Sequence, residues 1–299
     1  MALIYNATFD KNTRKLTFED RAGNEIYSFI VPEREKDDIT KPLTFRAIQD
    51  GSTVKLVSNG TPSGSFQTSR DGGNTWADYT LDTTITLNTD DEVSFRAKTN
   101  RTSAQSRSNF FYFQMTGKIE AWHNVLSLYR ANDFATYNTM VRSAFNGLFS
   151  GCTSLTKAPE LPLTTLAMNC YELMFRGCQS LTEAPELPAT TLVYGCYSNM
   201  FSGCQSLTKA PALPATKLAD FCYYFMFYGC QSLKEFRISA TTTATTAATV
   251  ESELNFWLSG VSATGDFYCD PNATIFPTDS ASGIPKNWRR LNINDYPTT

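Results

Sequence analysis

Residues 149–174 read FSGCTSLTKAPELPLTTLAMNCYELM, and the same pattern returns at intervals of 26 residues. A second copy begins at Phe175 with FRGCQSLTEAPELPATTLVYGCYSNM, and a third begins at Phe201 with FSGCQSLTKAPALPATKLADFCYYFM. A fourth copy starts at Phe227 with FYGCQSLKEF and then leaves the pattern, while a degenerate half-copy, AFNGLF, ends at Phe149. Three full copies that match at more than half of their positions predict an internal repeat architecture.

Each copy of the repeat carries more apolar side chains than a single turn of chain can bury. In the first copy these are Leu155, Leu161, Leu166 and Met174. Stacked copies bury such side chains as continuous ladders, and a 26-residue period lies within the range of leucine-rich repeats. Two prolines per copy suit a tightly cornered coil, and Gly151 and its equivalents suit a left-handed backbone. The pattern therefore predicts a solenoid of stacked turns.

The cysteines follow the repeat rather than a cross-linking pattern. The sequence contains 8 cysteines, and all but Cys269 fall into two series with a 26-residue step. One series is Cys152, Cys178, Cys204 and Cys230, and the other is Cys170, Cys196 and Cys222. Because free cysteine is among the most buried residue types, we expect two buried columns of free thiols. Disulfide bonds and a metal site are the alternatives that the spacing leaves open.

The repeats, with their FxGCxSLTxAPxLPATTL and CYxxMF segments, resemble the BspA-like leucine-rich-repeat family. The segments NFWLSGV at 255–261 and SGIPKNW at 282–288 resemble the closing cap of these proteins. The resemblance covers about residues 42–299. Members of the family occur on the surfaces of gut anaerobes and in virion proteins of the phages that infect them. The resemblance therefore implies a leucine-rich-repeat fold and a surface location, and it supplies no catalytic motif.

The regions before and after the repeats are predicted from strand alternation and turn residues. Apolar residues that alternate with polar ones near the N-terminus are Leu3, Tyr5, Ala7 and Phe9. This alternation and the turns that follow it predict a small antiparallel meander over residues 1–32, followed by a charged linker. Residues 42–118 contain short apolar stretches between turns, a spacing that favours a β-sandwich. We also expect short helices at 134–144 and 247–258.

The predicted fold class is therefore mainly β, in five consecutive regions. These are a docking unit with its linker (1–41), a β-sandwich (42–118), a transition and N-terminal cap (119–148), the leucine-rich repeats (149–238) and a C-terminal cap (239–299). The caps are expected because a solenoid needs non-repeating segments to cover its open ends.

Composition excludes several classes of function. Of the 299 residues, 26 are Lys or Arg and 29 are Asp or Glu, and the net charge of −3 argues against a nucleic-acid binder. No apolar run is long enough for a transmembrane helix, and the N-terminal residues do not predict a signal peptide. His123 is the single histidine, which argues against histidine-rich metal sites and histidine-based catalysis. We expect no cofactor and no enzyme activity.

Three local motifs have structural readings that we prefer to functional ones. The segment SRDGGNTW at 69–76 resembles the Asp-box of sialidase propellers, where it braces a hairpin and is not the catalytic centre. We expect a structural turn in which Asp71 bonds turn amides and Trp76 packs beneath; a glycosidase site is the alternative. His123 is expected to be a junction residue with satisfied hydrogen bonds. Residues 90–92 are expected to form a solvated loop, with cation binding left open.

The variable columns of the repeat are the candidate binding surface. In a solenoid the constant positions form the core, so the variable positions face outward. The candidates are Arg176, Tyr194, Lys209, Tyr224 and Tyr228. Exposed tyrosines beside charged residues are typical of recognition surfaces, and a merely solvated surface is the alternative. No catalytic, cofactor-binding or metal-binding residue is predicted.

These observations predict a non-enzymatic phage virion protein, as a head or tail appendage or fibre on the virion surface. Residues 1–32 are expected to attach it to other virion proteins, and the repeats to bind a host-surface protein or a glycan. We expect a homo-oligomer, with no nucleic-acid partner and no membrane insertion. A bacterial cell-surface adhesin of the BspA-like type is the alternative, and a glycan-active enzyme is the third.

Overall fold

The computed structural model describes residues 6–10, 15–19, 22, 25–30, 38–60, 64–103, 105–106, 109–243, 251–278 and 280–296. The described backbone is mainly β, with several sheets and almost no helix, so the predicted class is confirmed at that level. Contacts divide the chain into two compact units, Met1–Asp37 and Asp38–Thr299.

The first unit is a three-stranded antiparallel sheet. Its strands are β1 (Asn6–Asp10), β2 (Lys15–Glu19) and β3 (Glu25–Ile30), in the order β1-β2-β3. Phe9 lies opposite Leu16, and Leu16 lies opposite Phe29, so these three residues share one cross-strand row. The predicted strand residues Leu3 and Tyr5 lie outside the described residues, as does the predicted linker up to Asp37.

The second unit begins with two sheets that pack face to face. Its first strands are β4 (Thr44–Ala47), β5 (Ser52–Asn59), β6 (Phe66–Ser69), β7 (Ala77–Tyr79), β8 (Ile85–Leu87), β9 (Glu92–Ala97), β10 (Phe110–Thr116) and β11 (Ile119–Trp122). One sheet has the order β10-β5-β8, and the other contains β11-β4-β9-β6-β7. Phe45 of one sheet and Phe113 of the other place their ring centroids 4.6 Å apart, so both are part of the shared core.

This core continues into the repeats without a break. Strand β12 (Leu155–Lys157) lies in the first repeat and extends the larger sheet by pairing in parallel with β11. The Phe113 ring stacks on Phe149, the first residue of the first repeat, with centroids 5.4 Å apart. Along the chain, a 3-10 helix at Val125–Leu128 follows β11 and precedes the first repeat. The Asn124 side chain caps its start by accepting a hydrogen bond from the Leu126 amide. The predicted boundary at residue 118 therefore falls inside one compact unit.

Successive repeats stack at the interval that the sequence indicates. The amide of Phe149 donates to the carbonyl of Met174, and the amide of Phe175 donates to that of Met200, both at 2.9 Å. Such bonds satisfy backbone groups between neighbouring turns, as in a parallel sheet, although most of the turns are not regular strands. The apolar positions predicted to be inward are confirmed, since Leu155, Leu161 and Met174 are almost fully buried.

Aromatic and cysteine columns fill the interior of the stack. The phenylalanine rings at Phe149, Phe175, Phe201 and Phe227 stack with centroids 5.4, 5.6 and 5.5 Å apart. All eight cysteines are buried thiols, which confirms the burial predicted for them. The Cys178 thiol donates to the Phe149 carbonyl at 3.1 Å, and the same bond recurs one turn later from Cys204 to Phe175. Each thiol of this column, which also contains Cys152 and Cys230, thus fills space and donates to a carbonyl.

The remaining elements lie in the last repeats and in the segment that follows them. They are β13 (Lys217–Leu218), β14 (Glu235–Arg237), β15 (Thr242–Thr243), α1 (Glu251–Leu254), β16 (Gly265–Cys269), β17 (Trp288–Asn292) and a 3-10 helix at Ile293–Asp295. Strands β14, β16 and β17 form a parallel sheet in that order. Trp257 is fully buried, and its indole donates to the Gly283 carbonyl at 3.2 Å. Of the helix predicted at 247–258, residues 251–254 form the short α1 and residues 255–258 form turns, while residues 247–250 lie outside the described residues.

The helix predicted at 134–144 is wrong. These residues form turns, and Ser143 has a positive φ of 55°. The amides of Ser143 and Phe145 donate to the carbonyls of Met168 and Cys170 in the next turn. Because these amides are bonded between turns, they are not available for the bonds within a helix.

Candidate binding surface

Six aromatic side chains form one continuous cluster on the outside of the last turns, which we call the aromatic patch. Its members are Tyr194, Phe221, Tyr224, Phe225, Tyr228 and Phe256. Ring centroids in contact are separated by 4.6 to 5.4 Å, the shortest distance being that between Tyr224 and Phe225. Tyr194, Tyr228 and Phe256 are 43%, 45% and 39% exposed, so the patch faces solvent.

One eight-residue turn supplies most of the patch and also its anchor. Within residues 221–228 the inward side chains, all buried, are Cys222, Tyr223, Met226 and Phe227. The outward ones are Phe221, Tyr224, Phe225 and Tyr228. The anchor is extensive, because the Tyr223 ring stacks on Tyr197 at 6.1 Å and the Phe227 ring stacks on Phe201. The outward rings are therefore carried by a backbone that the core holds in place.

Three phenylalanines of the patch, Phe221, Phe225 and Phe256, have a left-handed backbone, and the first two stand in repeat columns. Phe221 has φ 57°, and the position 26 residues earlier is Gly195 with φ 61°. Phe225 has φ 52°, and the position 26 residues earlier is Asn199 with φ 55°. Glycine and asparagine adopt this conformation readily, whereas a bulky side chain is disfavoured there by about 1–2 kcal/mol. The turn at 221–228 thus carries large rings at positions where the preceding turn has residues suited to the backbone.

The structure brings three of the five predicted surface residues together. Tyr194, Tyr224 and Tyr228 all belong to the aromatic patch, although Tyr194 contacts the others only through Phe221. Arg176 is exposed in the same column as Tyr228, two turns earlier, with Ser202 between them. Arg176 therefore lies on the same side of the stack as the patch but outside it.

Lys209 is in a different environment. Its ammonium lies 2.9 Å from a Glu235 carboxylate oxygen and 5.1 Å from the centre of the Tyr296 ring. Hydrogen bonds with Tyr296 and Glu235 raise the pKa of Lys209. The surrounding cleft is also lined by Glu183 and Arg237. Lys209 is thus engaged with the C-terminal segment, and no contact among the described residues joins it to the patch.

Sequence reasoning missed the phenylalanines of the patch. The Phe221 column holds Asn169 and Gly195 in earlier copies, the Phe225 column holds Leu173 and Asn199, and Phe256 lies beyond the last recognisable repeat. The available signal was the appearance of an aromatic residue where the preceding copy carries a turn residue. The repeat register could not predict the position of Phe256, because the ring that it contacts, Phe225, stands 31 residues earlier rather than 26.

The Asp-box-like segment is a structural turn, as predicted. The Asp71 carboxylate accepts hydrogen bonds from the Ser69 hydroxyl at 2.6 Å and from the amide and hydroxyl of Thr75 at 2.9 and 2.6 Å. The Ser69 and Thr75 donors lower the pKa of Asp71 well below its usual range. The Trp76 indole donates to the Gly73 carbonyl at 2.9 Å. A carboxylate engaged in this way braces the hairpin and is poorly suited to proton transfer.

The junction histidine and the acidic loop also have the environments predicted for them. His123 is buried, and its Nδ1 accepts a hydrogen bond from the Asp38 amide at 3.1 Å. Asp90 is exposed and pairs with Arg46 at 2.7 Å, while the Asp91 carboxylate accepts from the Asn88 amide at 2.8 Å. Within the described residues, no group of three potential metal ligands gathers at one point.

Comparisons with known proteins found no match among protein-family models, curated proteins or solved structures. In the part of the chain that the structure describes, no helix has the length and apolar character needed to cross a membrane. Function is therefore inferred from the surface of this molecule.

Proposed function

We propose that this protein is a non-enzymatic attachment protein of a phage virion. In this proposal it is a capped leucine-rich-repeat solenoid behind a β-sandwich, located on the virion surface, and it binds a protein on the host cell through the aromatic patch. The observation that carries the proposal is the contact between six surface rings, of which three are more than a third exposed. Single exposed aromatic residues are ordinary, whereas a contiguous exposed apolar patch is typical of an interaction site.

The geometry of the patch favours a protein as its partner. Neighbouring rings are inclined to each other by 39° to 66°. This inclined arrangement offers ridges and hollows that apolar side chains of a protein can fill. Tyrosine is also enriched at the energetic centres of protein interfaces, since its ring is apolar and its hydroxyl forms hydrogen bonds.

The β-sheet of the first unit supports a role in attachment. Its order β1-β2-β3 leaves β1 and β3 as edge strands within the described residues. Exposed edges can pair with a strand of another chain, and a sheet of three short strands is marginal by itself. We therefore assign residues 1–32 to binding other virion proteins, with the protein present as a homo-oligomer.

The engagement of the acidic and histidine side chains supports the absence of catalysis. The Asp71 carboxylate is occupied by turn donors, and His123 Nδ1 accepts from a backbone amide. A catalytic acid or base needs a substrate within hydrogen-bonding reach, and neither group lies in the aromatic patch.

Two measurements test this proposal. Electron microscopy of phage particles labelled with an antibody against residues 38–299 should place the protein on the particle. Deletion of residues 1–32 should give a soluble, folded protein that is absent from particles, since residues 38–299 form a compact unit. Incorporation of the deleted form at the normal level would contradict the assigned attachment role.

The class of partner is tested on the host cells. Treatment of the cells with a protease should abolish binding of the purified full-length protein, and periodate, which cleaves glycans, should leave binding unchanged. Loss of binding after periodate alone would contradict a protein partner for the patch. A label on the bacterial surface in cells without phage would favour the adhesin instead.

A further inference from the structure

A second concave site lies where the face-to-face sheets meet the first turns of the stack, and we call it the junction cleft. Its volume is about 690 Å³, which is within the range of small-molecule sites. The lining residues that matter here are Phe110, Tyr112, Arg142, Asn146, Asn169 and Glu172. None of them belongs to the aromatic patch, so the junction cleft is a separate site.

One part of the cleft is a prearranged polar group. The side-chain amides of Asn146 and Asn169 both donate to the same oxygen of Glu172, at 2.7 and 2.6 Å. The other Glu172 oxygen takes part in no hydrogen bond with a described residue. Glu172 therefore offers a ligand hydroxyl one carboxylate oxygen that accepts no other hydrogen bond from a described residue.

Aromatic rings form another part of the lining. Phe110 and Tyr112 are half-buried and stand two residues apart on β10, so their side chains lie on the same face of the strand. Their ring centroids are 5.6 Å apart and the rings are inclined by 38°. The Tyr112 hydroxyl interacts with Gln114 at 3.4 Å, at the edge of the ring. Partly exposed rings beside hydrogen-bonding groups are the combination that a sugar ring requires, with its apolar C–H face and its hydroxyl rim.

Arg142 supplies the charge that selects among sugars. It is exposed at the cleft and forms no ion pair or hydrogen bond with another described residue. A guanidinium binds a carboxylate through two parallel hydrogen bonds. The Glu172 carboxylate lines the same cleft, so a bound ligand presents its carboxylate to Arg142 and its hydroxyl groups to Glu172.

We infer that the junction cleft binds an acidic oligosaccharide, with the carboxylate of a sugar on Arg142 and a pyranose ring against Phe110 and Tyr112. Hydroxyl groups of the saccharide donate to Glu172. This binding is reversible and involves no bond cleavage. The inference does not depend on the protein partner of the aromatic patch, since the two sites share no residue.

The test is titration calorimetry of the full-length protein with a panel of carboxylated oligosaccharides. The panel contains tetramers of galacturonate, of mannuronate and of hyaluronan, together with sialyllactose. Each is compared with its methyl ester, which keeps the rings but removes the charge. At least one acidic member should bind, and its ester should bind about tenfold more weakly or worse.

Matched variants assign the binding to the cleft. Arg142→Gln should lower the affinity for the acid about tenfold and remove the difference between acid and ester, while Arg176→Gln should change neither. Tyr112→Ser should weaken acid and ester alike. Arg142 is exposed and pairs with no other described residue, so R142Q is expected to fold, and its melting temperature is measured alongside.

The results separate this inference from the proposed function. No binding by any acidic member up to about 10 mM would overturn it, as would equal binding of acid and ester. An equal loss of affinity for the acidic saccharide in R142Q and R176Q would also overturn it. Phe225→Asn, a change in the aromatic patch, should leave saccharide binding unchanged, whereas R142Q should leave the protease-sensitive binding to host cells unchanged.

Discussion

Phe225 lies one repeat after Asn199 in the same left-handed backbone position, with φ of 52° and 55° respectively. The two residues therefore differ in side chain while their backbones agree. Asparagine is suited to this conformation and phenylalanine is not. The Phe225 ring contacts Tyr224, Tyr228 and Phe256, and so joins three members of the aromatic patch. The same column holds Leu173, with φ 59°, in the first copy, so this position accepts a bulky side chain at a backbone cost that the contacts of the side chain offset.

This relationship predicts the stability of Phe225→Asn. The substitution removes ring contacts but restores a residue suited to φ 52°, so the free energy of unfolding should change by less than about 1 kcal/mol. The matched change Phe227→Ala, two residues away and fully buried, should cost about 3–5 kcal/mol. Urea denaturation of both variants measures the difference. Similar losses for the two would mean that Phe225 is a core residue.

A second pair of substitutions tests which repeat positions face the core and which face solvent. Leu207 is fully buried, and Leu207→Ala should cost about 2–5 kcal/mol because neighbouring turns cannot close the cavity. Glu183 is exposed, and Glu183→Ala should cost less than about 0.5 kcal/mol. Thermal denaturation of the two variants compares them directly, and equal shifts would contradict the assignment of the columns.

The inward columns could be predicted from the sequence because each copy repeats the same apolar positions, and the ladders of Leu207 and its equivalents follow from that register. The aromatic patch could be predicted only in part. Its tyrosines stand in variable columns, whereas Phe221 and Phe225 stand where the preceding copy has Gly195 and Asn199. The environment of Lys209 could not be predicted from the repeat, because its contact with Tyr296 joins residues 87 positions apart. The junction cleft arises where β10 meets the first turns, a meeting that no repeat pattern encodes.

The cysteines provide a prediction about chemical state. Alkylation under denaturing conditions, without a reductant, should modify all 8 cysteines, because each is a buried thiol. Alkylation of the native protein at neutral pH should be slow at every one, since burial removes both access and the reactive thiolate. Mass spectrometry of the peptides gives the count. A cross-linked peptide joining Cys170 to Cys178 would contradict the prediction.

The same burial predicts how stability depends on pH. Burial raises the pKa of Cys152, Cys170, Cys222 and Cys230 to about 12, whereas an unfolded thiol ionises at about 8.5. The unfolded state therefore loses protons first as the pH rises. The contribution of the buried thiols to the free energy of unfolding should be constant below about pH 8. It should fall between about pH 8.5 and pH 12. Urea denaturation at pH 7, 8.5 and 10 measures it.

A substitution controls for other groups that titrate in this range. Cys178→Ala removes one buried thiol, so its unfolding free energy should fall less steeply with pH than that of the wild type. Parallel curves for the two proteins would show that the buried thiols are not the source of the decline.

The central claim is that the aromatic patch binds the host surface, and the most direct measurement is the affinity of the full-length protein for host cells. Phe225→Asn should lower that affinity by at least about tenfold while the protein keeps its fold. Ile48→Asn, which changes another exposed apolar residue far along the chain, should leave the affinity unchanged. Wild-type affinity in Phe225→Asn would contradict the claim, as would an equal loss in Ile48→Asn.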